Sequence, residues 1–325
     1  MKVLIAEAGG LSGLEKEAFR MAKGGEHFHL VKKEAVLEEI REAAREIFSM
    51  ERSTLEVAEG QPFRLSLIAE LLRQAGDADF EFLKEAETGV PVGVKVELPR
   101  TPAIFERQTK WSLTDYGDEG WELERKNYPS AVEHAQHLRD HLESEVKDGL
   151  VEKMTDEAFV QEFGEERAVA SLAVLVEDPV AGKKRVIHDG THGVGVNNRI
   201  RCRDKVRMPG PREKRVLLEE FEGQNITVLS IIGDFEKAHR RFKYRRDEQG
   251  YLARRVEEGD GWVYVNKVGT FGVASTPYWW GRISAALMRL THCCLGRGLP
   301  LEAGTAGEDC RCSGFCGHGC HGSAL

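Results

Sequence analysis

The chain has 325 residues, with hydrophobic residues at 41%, charged residues at 31% and a formal net charge of −8. That length supplies at least one sizeable core and room for two domains, and that charge excludes a uniformly basic nucleic-acid binder. No apolar run reaches the roughly 18 residues that span a bilayer and MKVLIAEAGG is too short for a secretory signal, so an intracellular protein, cytoplasmic or nuclear and free of membranes, is expected.

Residues 15–59 are expected to be helical, since EAVLEEIREAAREIFSM places Val36, Ile40, Ala44 and Ile47 near helical spacing with charges opposite. A second helix is predicted in LSLIAELLRQAG, closed by Gly76. Pro91, Pro99 and Pro102 then favour extended chain, a linker or an arm lying on another surface. A third helix is expected in SAVEHAQHLRDHLESEVKDGLVEKM, with Gly149 as its stop. His137 and His141 lie one turn apart there, but no Glu follows His137 as in a metalloprotease helix, so a polar helix face is the simpler reading.

From Ala168 the character turns to strands. AVASLAVLVED and KKRVIHDG flank the turn PVAG and predict a hairpin. ITVLSIIGD reads as another strand, and YLARRV with WVYVNKV predicts a second hairpin around EEGDG. Pro277 suits the first turn of a helix running through Trp280, Ile283, Leu287 and Leu290. The division expected is a helical region with a Pro-containing linker over 1–110, a mixed domain over 125–295, and a Gly/Cys-rich tail over 296–325. In that tail Cys310, Cys312, Cys316, His318, Cys320 and His321 match no common zinc module, so a disordered tail is expected. Six of the seven cysteines lie from Cys293 onward and only Cys202 lies upstream, unlike a secreted disulfide framework.

Charge is unevenly placed. Residues 181–255 hold 19 Lys+Arg against 10 Asp+Glu, or +9, which leaves −17 for the rest of the chain. A basic block in an acidic protein either concentrates positive potential on one face or is a solvated surface. Within this stretch IIGDFEKAHRRF ends an apolar run on Asp234 and then crowds Lys237, His239, Arg240 and Arg241 behind it. Asp234 is either a helix cap or a carboxylate that holds a metal ion beside a polyanion.

Three blocks carry the chemistry: KKRVIHDGTHGVGVNNRI (183–200), GDFEKAHRR (233–241) and VGTFGVASTPYWWGRI (268–283). Their order and spacing resemble the fingers and palm of reverse transcriptases of retrotransposon type, over about residues 128–295. Arg185 stands four before Asp189, with Asn197 or Asn198 following. Asp234 is followed four later by Ala238. Phe271, Gly272, Val273 and Pro277 match a P-F-G-L-x-x-A-P pattern, from which Thr270 and Thr276 depart. RMPGPREKRVLL falls where the family has a proline-rich stretch.

The resemblance implies an α+β fold, an antiparallel sheet with packed helices, preceded by the helical region. It implies template-directed nucleotidyl transfer, in which two Mg²⁺ ions roughly 3.5–4 Å apart stabilise the attacking and leaving oxygens. Asp234 and the backbone carbonyl of Phe235 would be metal ligands. Lys183 and Arg185 would hold the triphosphate of a deoxynucleotide, Arg185 with its planar fork. His239, where the family has Tyr or Phe, would lie beside the sugar, and Phe271 and Gly272 against the nucleotide. Arg240, Arg241, Lys243, Arg245 and Arg246 would contact phosphates of an RNA or DNA template-primer. The family's second carboxylate block, an aromatic-x-Asp-Asp hairpin, has no counterpart after Leu295, where only Glu308 and Asp309 occur in a Gly-rich context. A chain truncated in this way is expected to lack polymerase activity. The alternatives are a non-catalytic nucleic-acid-binding or scaffold protein, and a metal-dependent phosphoesterase using His188, Asp189, His192, Asp234 and His239.

Overall fold

A computed structural model describes residues 16, 34–102, 106–107, 121–205, 210–223 and 235–296. The chain divides into two compact units, Met1–Glu56 and Val57–Leu325. In the first, α1 (Glu34–Ile47) is part of the helical stretch expected over 15–59; residues 17–33 lie outside the described residues, and the chain leaves the α-helix after Ile47. Arg41 bonds back to Glu34 and Glu38 along one face, and a 3-10 turn follows at Arg52–Leu55.

The second unit begins with α2 (Leu65–Gln74) and α3 (Glu81–Thr88). Leu65, Ala69 and Leu72 recur at i, i+4 and i+7, and all three are buried. Gly76 at φ +74 closes α2 as anticipated, its N–H bonding Arg73 O while Asp77 N–H bonds Leu72 O. Residues 89–102 are the expected arm, and they lie on this same unit. Val90 pairs with residues 243 and 245 through two 2.9 Å backbone bonds, and Trp279 Nε1 donates to Pro91 O at 2.9 Å. The buried Glu248 carboxylate accepts the N–H groups of Val92, Val94 and Lys95 at 2.6–3.0 Å. Glu248 thus satisfies three backbone donors that the irregular arm would otherwise bury unpaired.

The helix expected from residue 130 is broken. α4 (Pro129–Glu133) and α5 (Ala135–Lys147) meet at His134, whose backbone leaves the helical region at φ −115, ψ 30. Gly149 at φ +72 stops α5, and the chain enters β2 (Val151–Thr155) at once. α6 (Asp156–Phe163) follows, capped by the Thr155 hydroxyl accepting from Ala158 N–H. β3 (Ser171–Asp178) and β4 (Lys183–Asp189) form the predicted antiparallel hairpin, with Ser171 opposite Asp189 and Leu175 opposite Arg185. Asp178 Oδ1 accepts the N–H groups of Val180 and Ala181 and shapes its turn.

Short elements come next: α7 (Val196–Arg199), β5 (Asp204–Lys205), paired with β1 (Glu106–Arg107), and α8 (Pro211–Gly223). α8 covers most of the stretch that falls where the family has its proline-rich segment, residues 207–209 of which lie outside the described residues, and none of the helix's residues is buried. The predicted strand 226–234 lies outside the described residues, as does the tail beyond Gly296. The second predicted hairpin is present as β6 (Ala253–Arg254) and β7 (Trp262–Asn266), extended by β2 on the other side of β7 into an antiparallel β2-β7-β6 sheet. α9 (Ser275–Gly296) follows, with Pro277 in its first turn. The fold is thus mixed helix and small antiparallel sheets. Its main core joins α2, α3 and the arm to Phe242, Tyr244, Leu252, Trp279 and Ile283. Residues 57–102 are structural parts of this unit and not a separable linker.

Candidate functional site

The third block threads between the other two, and two glycines make that possible. Gly269 lies against the second block: its N–H bonds Phe242 O at 3.1 Å, and a Cβ there would fall well inside 3.0 Å of His239 O. Gly272 lies against the first block, at φ +89, where a Cβ would strike His188 O. The chain can pass this closely only where no side chain exists.

Asn197 fastens the second of these junctions. Its Nδ2 donates to Gly272 O at 2.7 Å and to Thr191 Oγ1 at 2.8 Å, and its Oδ1 accepts Ala274 N–H at 2.8 Å. Of the two asparagines left open by the sequence, Asn197 is the one that joins the blocks. Thr276, one of the two threonines that depart from the family pattern, also has a local reason. Buried Tyr244 places its hydroxyl 2.9 Å from Thr276 Oγ1 and 3.0 Å from Ser275 Oγ, and Thr276 Oγ1 accepts Thr270 N–H at 3.4 Å. Small hydroxyl side chains satisfy a phenol that burial would otherwise leave unpaired.

The junction presents aromatic rings to solvent. Phe271 is 69% exposed, and its ring centroid lies 4.3 Å from that of His239. Burial, and then the neighbouring Arg240 cation, pushes the His239 imidazole below its ordinary range, so it is neutral at physiological pH. Phe235 is 44% exposed and packs edge-on against Trp280 and Phe63. Asp234, the expected magnesium ligand beside it, lies outside the described residues. Among the described residues no three His, Cys, Asp or Glu side chains come together to hold a metal.

Beside the junction opens a cavity of about 740 Å³, bordered by Tyr128, Ile187, Asp189, Gly272 and Pro277. Burial alone would push the Asp189 carboxyl up. Hydrogen bonds from Tyr128 Oη (2.6 Å), His192 Nδ1 (2.8 Å) and the N–H groups of Thr191 and His192 overcome that and hold it at about 2. Those four bonds occupy the accepting positions of the carboxylate. Asp189 therefore shapes the wall and has no lone pair to spare for a metal. His188 cannot join it, because alternation along β4 sends its ring to the opposite side. That ring is 3% exposed, and burial, followed by Arg254 and Arg240, pushes it down to about 3. The ligand set expected for a phosphoesterase is thus dispersed at these two positions.

Arg185 shares the face of β4 that carries Ile187 and Asp189. Its guanidinium and the Lys183 ammonium both pair with Glu177, at 2.6 and 2.9 Å, in an exposed setting. Exposed pairs of this kind are weak. The basic run behind Asp234 is less uniform than its sequence suggests. Arg246 bridges Glu152 and Glu162, Arg245 pairs with Asp247, Arg241 Nε donates to Glu236 O, and Lys243 Nζ donates to Glu59 O. Arg240 is the clear correction: its side chain is 11% exposed and turns inward to Glu145, so it does not lie on the surface where a polyanion would run.

Glu145 and Tyr128 were not singled out by sequence. Glu145 did carry a signal, since it continues the buried stripe Leu138, Leu142 at helical spacing, where a charge requires a partner. Comparison of the sequence with protein-family models and with curated proteins finds no match.

Proposed function

We propose that the chain is a reverse-transcriptase-like fingers-and-palm domain that binds a single nucleic-acid strand at the junction of its three blocks. The observation that supports this is the Asn197 clamp onto Gly272 and Ala274, which joins the first block to the third across 75 positions of sequence. In this reading Phe271 and His239 offer faces on which a base stacks, with Phe235 beside them, and Arg185, Lys183 and Arg241 supply positive charge for phosphates. A neutral His239 suits stacking, because it brings no charge that needs a counterion.

Magnesium chemistry of the two-ion kind would need carboxylates beyond Asp234. The sequence after Leu295 contains no Asp-Asp pair. The reading for this chain is therefore binding without nucleotide incorporation. Fluorescence anisotropy with a labelled single-stranded oligonucleotide tests the first half: binding weakens as salt rises, and Phe271→Ala weakens it further by about 1–3 kcal/mol. A primer-extension assay tests the second half. Metal-dependent incorporation that disappears in Asp234→Ala would overturn it.

A further inference from the structure

Arg240 follows His239 in sequence, yet its side chain runs into the protein. Nη1 donates to Asn266 Oδ1 at 2.7 Å and to Gly269 O at 3.2 Å, while Nη2 reaches the Glu145 carboxylate. Gly269 lies two residues before Phe271, and its backbone is pressed against His239 O. Arg240 therefore grips both segments that carry the aromatic pair.

Glu145 comes from α5, 95 positions away in sequence, and is 8% exposed. The same carboxylate also pairs with Arg254, which is buried on β6 and donates to Asn266 Oδ1 at 3.1 Å. A buried and a half-buried guanidinium thus share one carboxylate. His141 Nε2 stands 3.8 Å from that carboxylate on the more exposed side. Without the negative charge the two guanidiniums would face each other in a poorly solvated place. Arg240, the less enclosed of the two, would swing out and release His239 and the Gly269 carbonyl.

We propose that Glu145 and Arg240 are positioning residues that hold the His239–Phe271 face in the geometry that stacks a base, with Arg240 acting as an internal strut and not as a phosphate contact. The proposal rests on the single-strand-binding reading above. The two roles for Arg240 predict opposite results. If it contacts phosphate, Glu145→Gln frees a cation and strengthens binding, and Arg240→Lys leaves binding nearly unchanged. If it is a strut, both substitutions weaken binding, since a lysine ammonium cannot reach Glu145, Asn266 and Gly269 together.

The test is titration of each variant into an aminopurine-labelled single-stranded oligodeoxynucleotide, following anisotropy for affinity and quenching for stacking. Glu145→Gln is expected to bind about tenfold more weakly with stacking quenching lost. Arg240→Lys is expected to bind more weakly at every salt concentration with the slope of log affinity against log salt unchanged. If Glu145→Gln does not unfold cooperatively, Arg240→Lys, which keeps a cation against Glu145, decides. Affinity and quenching at or above wild type in either folded variant overturn the proposal. Wild-type binding that depends on Phe271 but not on Glu145 or Arg240 removes this proposal alone. Binding that is absent, or indifferent to Phe271→Ala, removes the underlying reading and the proposal with it.

Discussion

Replacing Gly272 by alanine tests the junction at its tightest point. Two costs apply. The backbone sits at φ +89, where an L side chain is strained by about 1–2 kcal/mol. The new Cβ also falls well inside 3.0 Å of the His188 carbonyl oxygen, a backbone atom that cannot rotate aside. Ordinary contact needs about 3.5 Å, so loop and strand must part, which breaks the 2.7 Å bond from Asn197 Nδ2 to Gly272 O and the 2.8 Å bond from Ala274 N–H to Asn197 Oδ1. Each such bond contributes about 0.5–1.5 kcal/mol. The sum is about 2–5 kcal/mol. Gly182→Ala is the matched control: φ is +67 and nothing lies within 4 Å of its added Cβ, so only the strain of about 1–2 kcal/mol applies. Urea unfolding followed by tryptophan fluorescence measures both. Midpoints that differ by less than about 0.5 kcal/mol in equivalent stability would refute the close approach of Gly272 to β4.

Other outcomes follow from the same contacts. A chain beginning at Val57 should still unfold cooperatively, whereas one beginning at Trp121 should not, because residues 65–98 supply core side chains and the Glu248 anchor; circular dichroism melts distinguish them. Acid should weaken the fold in two stages. His188 stays neutral in the fold down to about 3 but titrates near 6.5 when unfolded, so the unfolded chain binds the extra proton between those values and stability falls as pH drops through that window. The Asp189 carboxyl is held at about 2 against an ordinary 3.8, so its stabilisation is present above the latter value and is lost as pH falls toward the former. His188→Phe should flatten the first stage and Asp189→Asn the second, read as urea midpoints from about pH 7 down to about pH 2.

Local signals in the sequence carried most of the secondary structure. Helical periodicity located α1 and α2, glycine stops located the ends of α2 and α5, and β-prone runs flanking short turns located both hairpins. The misses came from tertiary context. Nothing in AVEHAQ announces the break at His134, and VEKMT becomes a strand only because β7 is there to pair with it. The short helix α3 went unread, although Phe82, Leu83 and Ala86 bury one face. For the site, the three blocks were legible as motifs, but their fastening was not. An Asn that clamps a loop looks like any loop Asn, and a run of arginines does not show which member turns inward. Arg240 does so because Glu145, nearly a hundred residues upstream, waits on the buried stripe of α5. Partners that far apart are fixed by the fold and leave little trace in local sequence.

The most direct test of the proposed binding site is the affinity of the wild-type chain and of Phe271→Ala for a labelled single-stranded oligonucleotide, measured by anisotropy across a salt series. The account predicts measurable, salt-sensitive binding by the wild type, and a loss of about 1–3 kcal/mol in Phe271→Ala with the same salt slope, because a stacking face and not a cation has been removed. No binding by the folded wild type, or equal binding by the two proteins, would contradict it.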